Sequence, residues 1–375
     1  MKRRKGPVAL LAIDYEPSIG GVQSYLSGVV KCASGQGHEV VTLTPTPGPR
    51  SDNKHVVRLR PRGADPASRL ILNLVVALRA VGLRPTSVLC GHVLLLPAAL
   101  VVGRITGAPV VCFTYAAELV APRSRWLTRR LLPLCDQIVA ISRYTADLAR
   151  GVGVPAAKLR VLPPAIDPMP EAAKPTPRHI EATLARLGIE SPYFLTLGRI
   201  DDGHKGQDVC IEALAAVLQS HPTLSYVVAG DGVFSSHLAL LAKVYGVQRA
   251  VHFVGRVNEQ DKHALLAGAK CLVLLSRQAA RNRVEGFGIA VLEAAQYGVP
   301  AVVGRSGGLP DAVDGELTGW LTDPTDIDAV TEALRQSLEG HAADARGQAA
   351  EARLRREFTW GAREADVRSL LAIRQ

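Results

Sequence analysis

Two cations in one predicted loop, Arg199 and Lys205, are the clearest candidates for chemistry in this chain. Gly198 precedes the arginine, Gly206 follows the lysine, and the loop leads from a predicted strand into a predicted helix. Arginine supplies a planar fork of donors, lysine a compact charge, and the start of a helix free backbone N–H groups. Together these groups are suited to hold a diphosphate. The alternative is two solvated cations on a surface loop.

Two carboxylates, Glu285 and Glu293, occupy a second segment of the same half. In residues 285–289 a glycine-flanked turn is predicted to open a helix at Gly288, which leaves N–H groups free to donate. Glu293 falls about a turn and a half into that helix. A buried carboxylate without a partner is costly, so this pair predicts hydrogen bonds to ligand hydroxyls. For Glu293 the alternative is an exposed helical acid, which its small and apolar neighbours disfavour.

Further glycine-containing loops are predicted after other strands. Loop 19–22, with Gly20 and Gly21, could bring backbone N–H groups close to an anion, although a plain turn is the commoner role of paired glycines. It is not G-x-G-x-x-G, which argues against a dinucleotide-dependent dehydrogenase. Residues 230–232 predict a tight turn, the loop with Arg256 could edge a nucleobase through its backbone, and residues 307–311 lead into another helix.

The elements that would position these loops alternate along the chain. Short β-branched runs separated by longer helical patterns are typical of βαβ units around parallel sheets. Ligands of such sheets bind beyond the carboxyl ends of the strands, and with two domains the expected site is the cleft between them. The predicted strands are 8–13, 39–43, 56–59, 88–90, 110–114, 137–141, 160–162, 193–197, 225–229, 251–254, 271–275 and 301–303; helices are predicted over 207–219, 236–245, 259–267 and 289–297.

A proline cluster over residues 163–177 divides the two runs of elements. Proline fixes its backbone and cannot continue a helix or a central strand, so the cluster predicts a semi-rigid linker. The predicted fold class is therefore α/β, with two Rossmann-like, doubly wound domains. A length of 375 residues agrees, since domains average about 150 residues.

Composition excludes several other classes of protein. Apolar residues make up 47% and charged residues 21%, which excludes a largely disordered chain. None of the six cysteines lies in a C-x-x-C pair, so we expect free thiols in a reducing compartment rather than disulfides or a metal site. The apolar runs 8–13 and 93–102 are too short for a signal peptide or a membrane span. We therefore expect a soluble or peripheral protein in the cytoplasm.

The net charge of +10 is distributed unevenly. Residues 1–168 hold 22 Lys and Arg against 9 Asp and Glu, whereas residues 169–375 hold 22 against 25. A nucleotide ligand alone does not require this excess, so the first half could meet an anionic membrane, a nucleic acid or an acidic acceptor. A solvated, arginine-rich surface is an equally good interpretation. Nucleic acid is disfavoured as a partner because an aromatic-basic binding motif is missing.

Taken together, these motifs resemble the group 1 glycosyltransferases of family four, which have the GT-B fold. The order and spacing of that family are found in Gly20-Gly21, Gly198-Arg199 with Lys205-Gly206, Glu285-Gly286-Phe287-Gly288 with Glu293-Ala294, and Gly307-Gly308-Leu309-Pro310. Residues 136–142, 162–167 and 358–360 extend the resemblance over nearly the whole chain. It implies an acceptor-binding domain over 1–168, to which a C-terminal helix over 359–375 crosses back, and a nucleotide-sugar-binding domain over 178–356.

The resemblance implies a retaining transfer of a sugar from a nucleotide diphosphate sugar to an acceptor hydroxyl of a lipid, a glycan or a small natural product. It implies no cofactor and no metal ion, because the cations neutralise the leaving group. Arg199 and Lys205 match the residues that contact the diphosphate, and Glu293 matches the carboxylate that binds the ribose. The remaining donor contacts that it implies are Glu285, the backbone of Phe287, Gly288 and Ile289, and Gly21 over the phosphates.

The chemistry of these residues agrees with transfer. Breaking the anomeric bond places negative charge on the diphosphate, and the site must chiefly stabilise that charge. A hydrolase would place two carboxylates on either side of the bond instead. A sugar-nucleotide epimerase of the same fold is the alternative. A non-catalytic partner subunit would not need the paired glutamates and cations.

One segment departs from the family pattern. Tyr115 stands where the family often has a histidine near the donor sugar, so the donor sugar stays open: tyrosine could donate a hydrogen bond or exclude a hydroxymethyl group. Glu118, Gln23 and His92 are predicted in the same vicinity of sugar and acceptor. For His92, a structural histidine with satisfied hydrogen bonds is slightly favoured.

Residues 20–26 and 283–288 look most like those of bacterial phosphatidylinositol mannosyltransferases, which act on anionic lipid. Segment 123–132 holds four arginines, Trp126 and three leucines, and could form an interfacial helix that brings the protein to the inner face of the membrane. A helix that packs on its own sheet with its arginines in water is the favoured interpretation.

Overall fold

Two parallel sheets, each with its own hydrophobic core, organise the chain. The computed structural model describes residues 6–18, 20–48, 55–60, 65–120, 125–278, 283–315 and 317–372. The chain divides into unit 1, residues 1–165 and 360–375, and unit 2, residues 166–359. The chain leaves unit 1 inside the proline-rich segment and returns to it at Trp360.

Unit 1 contains a seven-stranded parallel sheet with the order β3-β2-β1-β4-β5-β6-β7. The strand order reverses between β1 and β4, which is where this kind of sheet opens a crevice at the carboxyl ends of its strands. The strands are β1 (Val8–Leu11), β2 (Val40–Thr44), β3 (Val56–Arg58), β4 (Ser87–Cys90), β5 (Val110–Thr114), β6 (Gln137–Ala140) and β7 (Leu159–Val161). The helices between them are α1 (Gly21–Gly35), α2 (Pro66–Gly82), α3 (Leu96–Thr106), α4 (Ala117–Val120), α5 (Arg125–Leu131) and α6 (Arg143–Gly151).

Unit 2 contains a six-stranded parallel sheet with the order β10-β9-β8-β11-β12-β13. Its strand order reverses between β8 and β11. The strands are β8 (Tyr193–Leu197), β9 (Ser225–Ala229), β10 (Val251–Gly255), β11 (Cys271–Leu274), β12 (Ala301–Gly304) and β13 (Gly319–Thr322). The helices are α7 (Pro177–Leu187), α8 (Gln207–Val217), α9 (Ser235–Val244), α10 (Glu259–Gly268), α11 (Ile289–Ala295), α12 (Leu309–Ala312), α13 (Ile327–Gln336) and α14 (Gly340–Glu357).

The C-terminal segment packs on α1 of unit 1. Trp360 lies with its ring 5.9 Å from the ring of Tyr25, and a Cβ built on Gly28 would lie 2.1 Å from the Trp360 ring. Only glycine at position 28 leaves room for the tryptophan. The last helix, α15 (Glu364–Leu371), buries Leu370 and Leu371.

The sequence pattern placed the strands within two residues of their observed ends, and the structure corrects three details. Strand β13 was not predicted, because its four residues include a glycine and form too short a β-branched run. The last helix begins at Glu364 rather than at residue 359. Pro177 is the first residue of α7 rather than part of the linker, since proline suits the first helical position.

Candidate active site

The loop that carries Arg199 is fastened to the loop after β9. The N–H of Gly198 donates to the carbonyl of Ala229 at 3.0 Å, and the N–H of Ile200 donates to the carbonyl of Asp231 at 2.9 Å. A Cβ built on Gly230 would lie 1.9 Å from the carbonyl oxygen of Gly198. The turn at residues 230–232 therefore supports the cation loop at the carboxyl edge of the sheet.

The turn that carries Lys205 is fixed against the end of β11. The N–H of Arg277 donates to the carbonyl of His204 at 2.9 Å. Gly206 has a φ of +74° and a Cβ there would lie 2.1 Å from the carbonyl oxygen of Leu275. Glycine is therefore required at position 206, and Lys205 is placed at the point where the strand order of unit 2 reverses.

Lys205 and Glu285 form an ion pair at this point. Lys205 Nζ lies 2.7 Å from Glu285 Oε2, and the two side chains are 17% and 19% exposed. Burial by itself would raise the pKa of Glu285, but the charge and hydrogen bond of Lys205, with smaller contributions from His204 and the N–H of Gly288, hold that pKa below its ordinary value. Glu285 is thus an anion at neutral pH.

The backbone around Glu285 joins two of the predicted glycine loops. The N–H of Gly308 donates to the carbonyl of Glu285 at 2.9 Å, and a Cβ on Gly307 would lie 2.3 Å from that oxygen. Gly288 has a φ of +93° and precedes α11, as predicted, so the first N–H groups of this helix begin beside Glu285. Phe287 is buried, and its ring packs 5.6 Å from that of Phe358, which leaves its backbone for contacts.

Glu293 is paired with a lysine that the sequence did not indicate. Lys262 Nζ lies 3.0 Å from Glu293 Oε1 and 2.7 Å from Glu259 Oε2. Burial would lower the pKa of Lys262, but the two glutamates raise it above its ordinary value. The argument that Glu285 and Glu293 lack protein partners was therefore wrong: each carboxylate has a lysine beside it.

Arg199 is not part of the Lys205–Glu285 pair. Its side chain is 80% exposed, and its NH1 lies 3.1 Å from Asp201 Oδ2. Arg283, another residue that we missed, lies 3.3 Å from the same Asp201 oxygen and 3.3 Å from Asp202 Oδ2. Arg256 is exposed and follows β10, at the outer edge of the sheet. The structure thus brings Lys205, the segment 285–289 and the loop 307–308 together, and leaves Arg199 and Arg256 beside them on neighbouring loops.

In unit 1, the predicted residues Gly21 and Gln23 lie after β1, and His92 lies after β4. Gly21 is the first residue of α1 and is exposed, and the Gln23 side chain folds over Gly20, where a Cβ would lie 2.5 Å from Gln23 Oε1. His92 Nδ1 accepts the N–H of Leu94 at 3.2 Å, and burial lowers the pKa of His92. This bond is the structural role that the sequence slightly favoured for His92.

Tyr115 and Glu118 shape the loop after β5. Glu118 is 8% exposed, accepts the N–H of Tyr115 at 2.6 Å, and has a pKa that burial raises to about 7. Between them Ala116 has a φ of +84°, which strains any residue with a side chain. The Tyr115 hydroxyl is buried and has no hydrogen-bond partner among the described residues, and the Tyr115 ring stands edge-on to Tyr25 at 6.2 Å. In this conformation the hydroxyl is enclosed by protein.

The predicted interfacial segment 123–132 is described only in part, and Arg123 and Ser124 lie outside the described residues. Helix α5 buries Thr128, and Leu132 after it is also buried. Trp126 is 69% exposed, with the Arg130 guanidinium 5.9 Å from its ring centre. One side of the segment thus packs on the unit, as the favoured interpretation requires.

The described residues include neither a metal-binding cluster nor a helix that could span a membrane. Among them, no group of three or more His, Cys, Asp or Glu is placed to hold a metal ion. Within the same part of the chain, no helix has the length and hydropathy needed to cross a membrane.

Solved structures identify the fold. Anabaena HepE in complex with UDP and glucose matches 98% of this chain and 100% of its own, with a TM-score of 0.79 and 20% sequence identity. The structural neighbours are GT-B glycosyltransferases. The two parallel-sheet, Rossmann-like domains are therefore those of the GT-B fold, which confirms the predicted fold class.

Sequence relatives define the family. Residues 19–169 match the family model Glycosyltransferase Family 4, and residues 181–354 match Glycosyl transferases group 1. A GDP-mannose-dependent alpha-(1-6)-phosphatidylinositol monomannoside mannosyltransferase of Mycolicibacterium smegmatis is 32% identical over 272 residues, which are 71% of this chain and 70% of the relative. The Mycobacterium tuberculosis protein of that name is 29% identical over 348 residues, 88% and 89% of the two chains. The chain belongs to the group 1 glycosyltransferases of family 4.

It follows that the protein is a glycosyltransferase that moves a sugar from a nucleotide sugar to an acceptor. The resemblance that the motifs indicated is confirmed. The named relatives are transferases, and the alternative of a sugar-nucleotide epimerase has no support from them.

Proposed function

We propose that the protein is a retaining glycosyltransferase that works without a metal ion or other cofactor and transfers a sugar to an anionic glycolipid of the phosphatidylinositol type. The observation that carries the proposal is the Lys205–Glu285 pair, 2.7 Å apart at the carboxyl edge of the unit 2 sheet. It supports the proposal because an ammonium group suits a leaving diphosphate and a carboxylate suits the hydroxyls of a sugar.

In this proposal, the candidate site residues of unit 2 bind the donor. Lys205 and Arg199 stabilise the negative charge that develops on the diphosphate as the anomeric bond breaks. Glu285 and the first N–H groups of α11 hold the sugar. Glu293 accepts a ribose hydroxyl with the carboxylate capacity that Lys262 leaves open. Arg256 is proposed to add its charge to the donor site of unit 2. For Gly21 of unit 1 we propose the role that the family resemblance implies, a backbone contact to phosphate.

Retention is favoured over inversion because Glu118, the carboxylate with a pKa suited to a general base, is buried and already hydrogen-bonded. Inversion needs a general base that deprotonates the acceptor, with a pKa near the working pH. Glu118, with a pKa of about 7, has that property, but it is 8% exposed and holds the Tyr115 N–H. We therefore assign Glu118 to the support of the loop after β5, and His92 to the support of the turn after β4. Gln23 is proposed to influence which sugar and acceptor are used, and Tyr115 to do so through the space that its ring fills rather than through its enclosed hydroxyl.

The relatives suggest the substrates to try first. They are named for GDP-mannose and phosphatidylinositol monomannoside, so this donor and this acceptor head the panel. A lipid acceptor also places the protein in the cytoplasm at the inner face of a membrane, as part of the same proposal.

The test measures nucleoside diphosphate release from a panel of sugar nucleotides, with and without the lipid acceptor, and the configuration of the product by NMR. We expect an α-linkage from an α-linked donor, unchanged rates in EDTA and a requirement for the acceptor. A β-linked product would overturn retention, and activity lost in EDTA and restored by Mg²⁺ would overturn the metal-free mechanism. Formation of an isomerised sugar nucleotide in the absence of acceptor would instead show epimerase activity.

A further inference from the structure

Helix α2 carries a row of leucines that faces water. Leu70, Leu74 and Leu78 are 74%, 59% and 66% exposed, and Ile71 beside them is 49% exposed. They are four residues apart and so share one side of the helix. The opposite side, with Leu72, Val76 and Ala80, is buried in the core of unit 1. Burial of the helix on its own sheet therefore accounts for one apolar side and leaves a second.

Helix α3 extends this apolar surface. It packs beside α2 and contributes Val102 to the same core, while Val101 and Ile105 on its outer side are 48% and 64% exposed. Large apolar side chains that are contiguous on the surface of a soluble protein mark an interaction site. We name the outer side of the two helices, residues 70, 71, 74, 78, 101 and 105, the α2–α3 face.

The charges beside the α2–α3 face are mostly positive. Residues 66–117 contain no Asp or Glu, and the acid at the start of α2 is Asp65, whose carboxylate caps the helix by accepting the N–H of Ser68. Four arginines in this stretch, Arg69, Arg79, Arg84 and Arg104, are exposed. Apolar side chains among an excess of arginines are the pattern of a protein surface that enters the interface of an anionic bilayer. A second copy of the chain would instead bring two sets of arginines together.

We propose that the α2–α3 face is a membrane-docking surface that binds bilayers with anionic headgroups. The inference rests on the proposed function in one respect, since it names the surface on which a lipid acceptor is reached. It is separate from segment 123–132, of which Trp126 is the exposed apolar residue described here. The leucines enter the acyl region while the arginines stay among the headgroups.

The experiment is sedimentation of the full chain with phosphatidylcholine vesicles, with and without phosphatidylglycerol. The variant L70S/L74S/L78S removes the leucine row, and the control L240S/V244S removes side chains of α9 in unit 2 that are 58% and 70% exposed. We expect the wild type and the control to bind anionic vesicles, and the leucine variant to bind about tenfold or more weakly. R79Q/R104Q should weaken binding in low salt and leave the fold intact.

Three results would overturn the docking surface. They are unchanged binding of the leucine variant, equal binding of the wild type to vesicles without phosphatidylglycerol, and light scattering that shows a wild-type dimer lost in the leucine variant. The last result would make the face an interface between copies. Release of nucleoside diphosphate to a detergent-dispersed acceptor, measured on the same samples, separates the two proposals. If the wild type binds vesicles but releases no nucleoside diphosphate, the proposed function fails and the docking surface stands. If it releases nucleoside diphosphate but does not bind vesicles, the docking surface fails and the proposed function stands.

Discussion

At the scale of single residues, Lys205 and Glu285 form an ion pair at the carboxyl edge of the unit 2 sheet. Both side chains are mostly buried, and each neutralises the charge of the other. A buried charge that loses its partner is costly, so the two residues depend on each other. In the proposed mechanism the pair also fixes the position of Lys205, which is the preorganisation that electrostatic catalysis needs.

The first prediction concerns this pair. Lys205→Ala and Glu285→Gln should each lower kcat/KM for nucleoside diphosphate release by about 10²–10³-fold, because a preorganised contact to developing charge is lost. Lys174→Ala serves as the matched control. The Lys174 ammonium is also mostly buried and lies 2.8 Å from Glu171 Oε2, but it is not part of the Lys205 loop. Steady-state kinetics with thermal melting of each variant distinguishes catalysis from folding. Wild-type turnover by folded Glu285→Gln would remove the role assigned to Glu285.

The second prediction concerns Asp201, which holds Arg199 at 3.1 Å and Arg283 at 3.3 Å. A diphosphate that recruits Arg199 must compete with this carboxylate. Asp201→Asn should therefore lower the KM for the donor, by about fivefold at most, since an exposed ion pair contributes up to about 1 kcal/mol. Asp147→Asn, which breaks an exposed Arg150 pair in unit 1, is the control. An unchanged or higher KM in Asp201→Asn would show that Arg199 acts without this competition.

The third prediction concerns Glu118 and pH. Burial raises the pKa of Glu118 from 4.5 to about 7, so between these values the folded protein keeps a proton that the unfolded chain has lost. The contribution of Glu118 to stability is therefore fully present below pH 4.5 and falls as pH rises to about 7. Relative to Glu118→Gln, the wild type should lose about 1–3 kcal/mol of unfolding free energy over this range. Denaturant unfolding at several pH values measures it, and a difference that is constant with pH would contradict it.

At the scale of elements, close backbone approaches position the site. Gly206 against Leu275, Gly230 against Gly198 and Gly307 against Glu285 each leave no room for a Cβ. The parallel sheet brings these loops to one edge, and the glycines fix their separations. The same device seats the C-terminal segment, where Gly28 admits the Trp360 ring.

The fourth prediction compares two glycines of α1. Gly28→Ala should lower the melting temperature and expose residues 360–372 to proteolysis, because the new Cβ would lie 2.1 Å from the Trp360 ring. Gly35→Ala is the control on the same helix, since no atom of the described residues lies within 4 Å of a Cβ built there and alanine is the better helix former by about 0.5–1 kcal/mol. It should be neutral or stabilising. Equal melting temperatures for the two variants would show that Trp360 yields without cost.

These elements also show what the sequence could predict. Strands can be predicted from local sequence, because β-branched runs between turn residues are typical of buried parallel strands. The partners of the glutamates do not: Lys205 is 80 residues from Glu285, and Lys262 is 31 residues from Glu293 on another helix. Such contacts depend on how the loops and helices pack. The motifs therefore predicted which residues gather at the sheet edge, while the pairing among them required the structure.

At the scale of the whole molecule, the two halves of the chain differ in net charge. The excess of 22 Lys and Arg over 9 Asp and Glu lies in residues 1–168, whereas residues 169–375, with the proposed donor residues, are slightly acidic. The proposed donor site has its own cations in unit 2 and does not require the excess charge of the first half. The excess is useful if the first half of the chain binds an anionic surface, and the α2–α3 face lies in that half.

The fifth prediction follows from this separation. Exposed charges are screened over about 10 Å at 0.1 M salt, while the mostly buried Lys205–Glu285 pair is screened much less. Raising salt from about 0.05 to about 0.5 M should therefore raise the apparent KM for an acceptor in anionic vesicles severalfold, and change the KM for the donor far less. The same titration with the acceptor in neutral detergent micelles is the control. Equal salt effects on donor and acceptor would mean that the basic half of the chain serves the donor after all, and that its arginines belong to the nucleotide site.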